Sequence, residues 1–235
     1  MSDVLGIAPH PDDLELSAGG TVAGLVQSGH SVVFVDLTEG ERGTRGTREI
    51  RRREAEAAAA VLGLAGRETL GFPDGGLNAH DRSQLETAVD AVRRHRPKLV
   101  LTMHENDEHP DHQEAAMLVR RAVYLAGLKN WPRENSTPHR IQSLLFAMGR
   151  RSFDPSLIVN IENTYVVKRK AMAAYHSQLH RDLKDPNVTP ISEPGFLKAL
   201  EARDRYHGSI IGAEFGEAFW SDRPWALPAE ALVRP

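Results

Sequence analysis

Two short segments of this 235-residue chain concentrate groups able to bind a metal and move protons. The first, Pro9-His10-Pro11-Asp12-Asp13-Leu14-Glu15, carries one imidazole and three carboxylates. The second, His104-Glu105-Asn106-Asp107-Glu108-His109-Pro110-Asp111-His112, ends on two histidines three positions apart. Adjacent aspartates point different ways, so one can ligate a metal while the other faces the space beside it, each with its own protonation behaviour. The chain contains no cysteine, which excludes disulfides, thiolate nucleophiles and iron–sulfur clusters and leaves His, Asp or Glu to hold any metal. Two histidines and one aspartate drawn from both segments would leave the fourth position of a zinc ion open to water, the arrangement of a catalytic site. Each segment alone has a plainer reading, as a histidine or aspartate stabilising a helix start. Their joint occurrence at one edge of a fold favours chemistry.

That edge is predicted by the elements around the segments. Apolar runs with strand character lie at 3–8, 31–37, 98–103, 142–148 and 157–161, with a weaker one near 67–71, and helix-like stretches lie near 14–28, 47–63, 82–95, 112–126, 162–180 and 194–207. Strands alternating with helices predict parallel βαβ units, and the nearly continuous apolar character of the first runs predicts strands covered on both faces. The fold class is therefore α/β, a Rossmann-like three-layer fold with a mostly parallel sheet and helices on both faces. Gly29, Gly63 and Pro97 punctuate the first three helices. The length suits a single domain over 1–235. Residues 181–194, with three prolines, read as a long loop that is either a lid or rim or an irregular connection. In open parallel sheets ligands bind beyond the carboxyl ends of the strands, and both chemical segments follow such ends.

Other candidates are less specific. Residues 42–53 hold Arg42, Arg45, Arg48, Arg51, Arg52 and Arg53 after the second strand; most suit a solvated helix face, while one or two can enter the site and pair with a substrate carboxylate. Asp74, after the weak third strand, suits a hydrogen bond to a hydroxyl-rich substrate or a plain turn. The first turn lacks the glycines of a dinucleotide site, and Gly19-Gly20 lies inside a helix. Net charge of −3 and pI near 6.4 lack the basic excess of a nucleic-acid binder, so the expected partner is a small molecule. Without a signal-like or membrane-spanning apolar stretch, the expected location is the cytoplasm.

Taken together, His10-Pro11-Asp12-Asp13-Leu14-Glu15 and His109-Pro110-Asp111-His112 resemble the two signatures of the LmbE-like (PIG-L type) zinc N-deacetylases. The likeness continues through Thr38-Glu39-Gly40, Arg51 with Glu54-Ala55, Pro73-Asp74, Tyr175-His176-Ser177-Gln178, Glu201-Ala202-Arg203 and the 212–219 segment. Length and C-terminal segment are most similar to the bacillithiol-biosynthesis branch, which deacetylates N-acetylglucosaminyl malate. The resemblance implies that His10, Asp13 and His112 hold zinc, with ferrous iron as the alternative, and that Asp12 is the general base. It further implies that a positively charged His109 acts on the oxyanion and leaving amine, that Arg51 reaches the substrate, and that the protein is a homo-oligomer, commonly a hexamer. Pro9 replaces the usual small residue before the first histidine, and Phe196 stands where a tyrosine is expected. The implied substrate is a small amino-sugar conjugate, with no nucleic acid or membrane. Alternatives are amidase action on a thiol-sugar conjugate, deacetylation of another N-acetylglucosaminide, or a non-catalytic sugar or nucleotide binder.

Overall fold

The structure, a computed structural model, describes residues 1–131, 137–179, 186–226 and 229. Strands β1 (Val4–Ala8), β2 (Val32–Thr38), β3 (Gly66–Phe72), β4 (Leu99–Met103), β5 (Ser143–Ala147), β6 (Leu157–Asn160) and β7 (Gly216–Trp220) form one sheet in the order β3-β2-β1-β4-β5-β7-β6. The first five in that order are parallel, and β7 runs antiparallel to β5 and β6. Helices α1 (Asp13–Gln27), α2 (Arg48–Leu62), α3 (Arg82–His95), α4 (Pro110–Ala126), α5 (Tyr165–Ala173), α6 (His176–Leu179) and α7 (Phe196–Ile210) cover it. No helix among the described residues is long and apolar enough to cross a membrane.

Strand alternation divides the core. Leu5, Ile7, Val33, Val35, Val100 and Phe146 face α3 and α4, which contribute Leu85, Val89, Leu118 and Val119. Val4, Ala8, Phe34, Leu101 and Leu145 face the opposite layer, where α1 supplies Leu14, Ala18 and Val22. Both faces of β1 and β2 are buried, which is why these strands read as apolar runs rather than alternating ones. Capping agrees with the punctuation: Thr47 Oγ1 accepts from Ile50 N at the start of α2, Gly63 ends it at φ 72°, and Arg96 ends α3 at φ 52° before Pro97.

Four elements depart from expectation. The weak third strand is β3, seven residues long at the sheet edge and only partly buried, which thins its apolar signal. The helix expected over 162–180 divides into α5 and α6 because Tyr175 turns inward and donates its hydroxyl to Glu15 Oε1 at 2.8 Å. β7 lies in a segment that shows no apolar run, since its second residue is the buried Glu217. In the 181–194 connection, 181–185 fall outside the described residues; Pro190–Ser192 form a single 3-10 turn closed by reciprocal Thr189 and Ser192 bonds.

The chain builds β2 and β3 on one side of β1, then returns to start β4 on the other. β1 and β4 are thus the switch point of the sheet, where a crevice opens beyond the strand ends. Their register, Val4 with Leu99 through Gly6 with Leu101, brings the two exits side by side.

Candidate metal centre

His10 follows β1, Asp12 and Asp13 open α1, and His112 lies in the first turn of α4, whose N-cap is His109. Asp13 sits between the two imidazoles: its Oδ2 is 3.3 Å from His10 Nδ1 and its Oδ1 is 3.3 Å from His112 Nε2. The opposite ring nitrogens meet other carboxylates. His10 Nε2 is 3.2 Å from Asp74 Oδ1 and 3.3 Å from Asp111 Oδ2, and His112 Nδ1 is 3.2 Å from Asp107 Oδ2. A carboxylate behind an imidazole orients it and raises its basicity, the usual support of a metal-ligating histidine; His10 has this as hydrogen bonds, whereas His112 and Asp107 stand at ion-pair distance without hydrogen-bond alignment.

Ligand atoms of His10, His109 and His112 lie within 4.8 Å of one another, as do those of His10, Asp74 and Asp111. The second group is engaged internally. Asp111 accepts from Gly75 N at 2.7 Å and Leu77 N at 3.2 Å, and Asp74 Oδ2 accepts from Arg42 N at 2.8 Å. These acids therefore support His10. The donor set of two imidazoles and a carboxylate, with His10 and Asp13 buried, His112 partly buried and no sulfur, fits a divalent cation.

The local field points the same way. Burial opposes charge on His10, but Asp111, Asp13 and Asp74 outweigh it and raise its pKa well above the usual value. His112, also opposed by burial, is driven up to about 10 by Asp13 and Asp107. Burial would raise Asp13, yet His112 and His10 hold it well below the ordinary carboxylate range. A pocket so arranged favours positive charge.

Asp12 differs from its neighbour. Its backbone lies at φ 106°, ψ −29°, outside the usual range of a non-glycine residue, and its side chain makes no capping bond. Burial pushes its pKa up to about 7, against the pull of Arg51 and with the push of Asp13. Its Oδ2 is 3.2 Å from Arg51 Nη2.

Arg51 enters the site region, yet not as an open clamp. It is 5% exposed, donates to Pro11 O at 2.6 Å and Gly40 O at 3.2 Å, and pairs with Asp12. Gly40 makes this possible: it sits at φ 63°, and a Cβ there would collide with the guanidinium. Arg51, expected to reach the substrate, grips the Asp12 turn. Asp74, predicted to meet a substrate hydroxyl, likewise turns inward; its bond with His10 lowers its pKa to about 2.

His109 is the exposed member, stacked on His112 at 5.0 Å and edge-on to His10 at 4.8 Å. Its Nδ1 accepts from Asp111 N at 3.2 Å, so a neutral ring carries its proton on Nε2. Burial first, then the charges on His10 and His112, hold its pKa below the usual value, whereas the sequence predicts an imidazolium. Phe196 packs against the buried cluster that includes Met172, Tyr175 and Leu200. Sequence reasoning assigned no role to Asp107 or Asp111; the available signal was an acid within two residues of each histidine of the second segment.

The chain is 32% identical over 231 residues to diacetylchitobiose deacetylase of Thermococcus kodakarensis, covering 92% of this chain and 82% of that protein. It is 29% identical over 199 residues to a probable N-acetyl-alpha-D-glucosaminyl L-malate deacetylase 2 of Bacillus cereus, covering 79% and 87%. A crystal structure of a conserved protein of Thermus thermophilus superposes with TM-score 0.88 at 39% identity, covering 97% of this chain and 98% of that one. Residues 5–123, which span both exits of the switch point, match the family described as PIG-L: GlcNAc-PI de-N-acetylase, and the chain belongs to this family of deacetylases.

Proposed function

We propose that the protein hydrolyses the N-acetyl group of an N-acetylglucosaminyl conjugate, with one zinc ion held by His10, Asp13 and His112. The observation that carries this reading is the division of labour between adjacent aspartates. Asp13 lies between two imidazoles, while the Asp12 carboxylate pairs with Arg51. When bound, a divalent cation supplies a Lewis acid for the acetyl carbonyl and acidifies a water molecule.

The chain's own groups do the rest. Asp12, with a pKa near 7, accepts the proton of the attacking water, and Arg51 holds the acceptor oxygen in place. His109 donates from Nε2 to the developing oxyanion, because its Nδ1 is already an acceptor. The proton taken by Asp12 then passes to the departing amine, without which the C–N bond would re-form. This shifts the amine's acid from His109 to Asp12.

For the aglycone, we take malate first, from the family resemblance, with action in bacillithiol biosynthesis. The burial of Arg51 favours a second reading, a neutral N-acetylglucosaminide such as diacetylchitobiose, on which the Thermococcus relative is named to act. A cytoplasmic homo-oligomer of one domain over 1–235 goes with the same resemblance. The test is acetate release by the zinc-loaded protein from N-acetylglucosaminyl malate, diacetylchitobiose and a thiol-sugar conjugate. Faster turnover of the malate conjugate by tenfold or more supports the first reading. Preference for the disaccharide installs the second, and a zinc-loaded protein that releases no acetate from any of them removes both.

A further inference from the structure

The helix that carries Asp12 and Asp13 into the site is held halfway along by side chains from the far end of the chain. Glu217 on β7, 1% exposed, accepts from the amides of Gly20 at 2.9 Å and Thr21 at 2.7 Å, in the middle of α1. Leu16 O, the carbonyl four residues before Gly20, accepts from Arg203 Nη2 at 3.0 Å, and Gly20 O accepts from Thr164 Oγ1 at 2.8 Å. Amides and carbonyls inside a helix ordinarily serve one another. Here tertiary side chains join the ladder at one level, the kind of insertion that fixes where a helix bends. Gly20 also lets Ile161 pack directly on this level of the helix, since a Cβ there would fall 2.7 Å from Ile161 Cβ.

The grip is charged and deeply buried. Lys168 Nζ lies 2.6 Å from Asp204 Oδ2 and 2.8 Å from Glu217 Oε1, and none of the three residues is more than 1% exposed. Asp204 Oδ1 in turn holds Arg203 Nη2 at 3.1 Å. Such a cluster is costly to bury, and apolar packing can serve bare stability as well or better. Its other contacts show what it adds. Arg203 Nη1 donates to Met148 O and Gly149 O, both at 3.0 Å, in the turn after β5. Gly149 lies so close to Asp107 that a Cβ would collide with its Oδ2, the atom behind His112 Nδ1. A single guanidinium therefore ties the first turn of α1 to the turn that seats Asp107.

We infer that Arg203, anchored by the Asp204–Lys168–Glu217 cluster, is a positioning residue that sets the spacing between Asp13 on α1 and His112 with its Asp107 support. It touches no reacting atom. The inference rests on the proposed ligand set, and its test reads the cation rather than turnover.

Arg203→Met keeps the aliphatic stem and removes every donor; Arg203→Lys keeps the charge but cannot reach both α1 and the 148–149 turn at once. Full-length, zinc-loaded wild type and variants are titrated against a chelator of known affinity, and cobalt-loaded samples are compared by visible absorption. Zinc affinity should fall about 10–100-fold in Arg203→Met, the loss typical of a disrupted ligand support, and by less in Arg203→Lys, with an altered cobalt spectrum. Wild-type zinc affinity and an unchanged cobalt spectrum in folded Arg203→Met overturn the inference, whatever the change in melting temperature. Should Arg203→Met not fold, Arg203→Lys decides: undiminished zinc affinity overturns it. A wild-type protein that holds zinc yet deacetylates nothing ends the proposed reaction and leaves this inference intact.

Discussion

Replacing Asp12 by glycine and, separately, by alanine isolates the strain in the turn from the chemistry of the carboxylate. Both variants remove the same buried acid and leave the same Arg51 guanidinium facing it, so those costs cancel in the difference. What remains is the backbone at φ 106°, ψ −29°. Holding a side-chain-bearing residue in a sparsely populated region costs about 1–3 kcal/mol, whereas glycine enters it freely. Against this, glycine makes the unfolded chain more disordered by about 0.4–1 kcal/mol. Asp12→Gly should therefore be the more stable of the two by about 0.5–2 kcal/mol. At about 2 cal/mol/K of unfolding entropy per residue, each kcal/mol moves the melting temperature of a chain this size by about 2 °C, so calorimetry should show Asp12→Gly melting about 1–4 °C above Asp12→Ala. Both should keep stoichiometric zinc and lose acetate release by about 10²-fold or more, the scale of general-base catalysis. Equal melting temperatures would refute the strain argument. Loss of metal would make Asp12 a ligand, and activity within tenfold of wild type would remove it as the base.

Arg51→Met breaks a pair whose members are about 5% exposed and 3.2 Å apart, leaving an uncompensated carboxylate; urea unfolding should show a loss of about 3–5 kcal/mol. Its kcat/KM should fall by the same factor on acidic and neutral N-acetylglucosaminides, and a selective loss on the acidic one would restore Arg51 as a substrate clamp. Asp107→Asn should weaken zinc binding by about 10–100-fold through the loosened His112 ring. His112→Ala should abolish stoichiometric metal outright, which metal analysis of the purified variant checks.

Much of the fold was legible because its signals are local. The runs at 3–8, 31–37 and 98–103 became β1, β2 and β4 almost unchanged, since strands buried on both faces are apolar throughout. β7 was not, because burying Glu217 beneath α1 puts a charge where an apolar residue marks a strand, and only the partner helix explains it. The candidate ligand residues His10, Asp13 and His112 stood out for a similar reason: they are polar groups in the segments that follow core strands. The fates of Arg51 and Asp74 did not stand out. A buried arginine and a solvent-facing one have the same letter, and which it is depends on Gly40 and Pro11 offering their carbonyls from other elements.

From residue order alone follow the α/β alternation, the absence of sulfur ligands and two acidic histidine segments at strand exits, since spacing and side-chain chemistry are properties of neighbours along the chain. Only the folded sheet decided that those segments meet, because β1 and β4 are separated by about ninety residues and become adjacent through the reversal of strand order. It also decided which acids support histidines and which stands apart, as burial and partnership arise between elements that sequence distance does not connect.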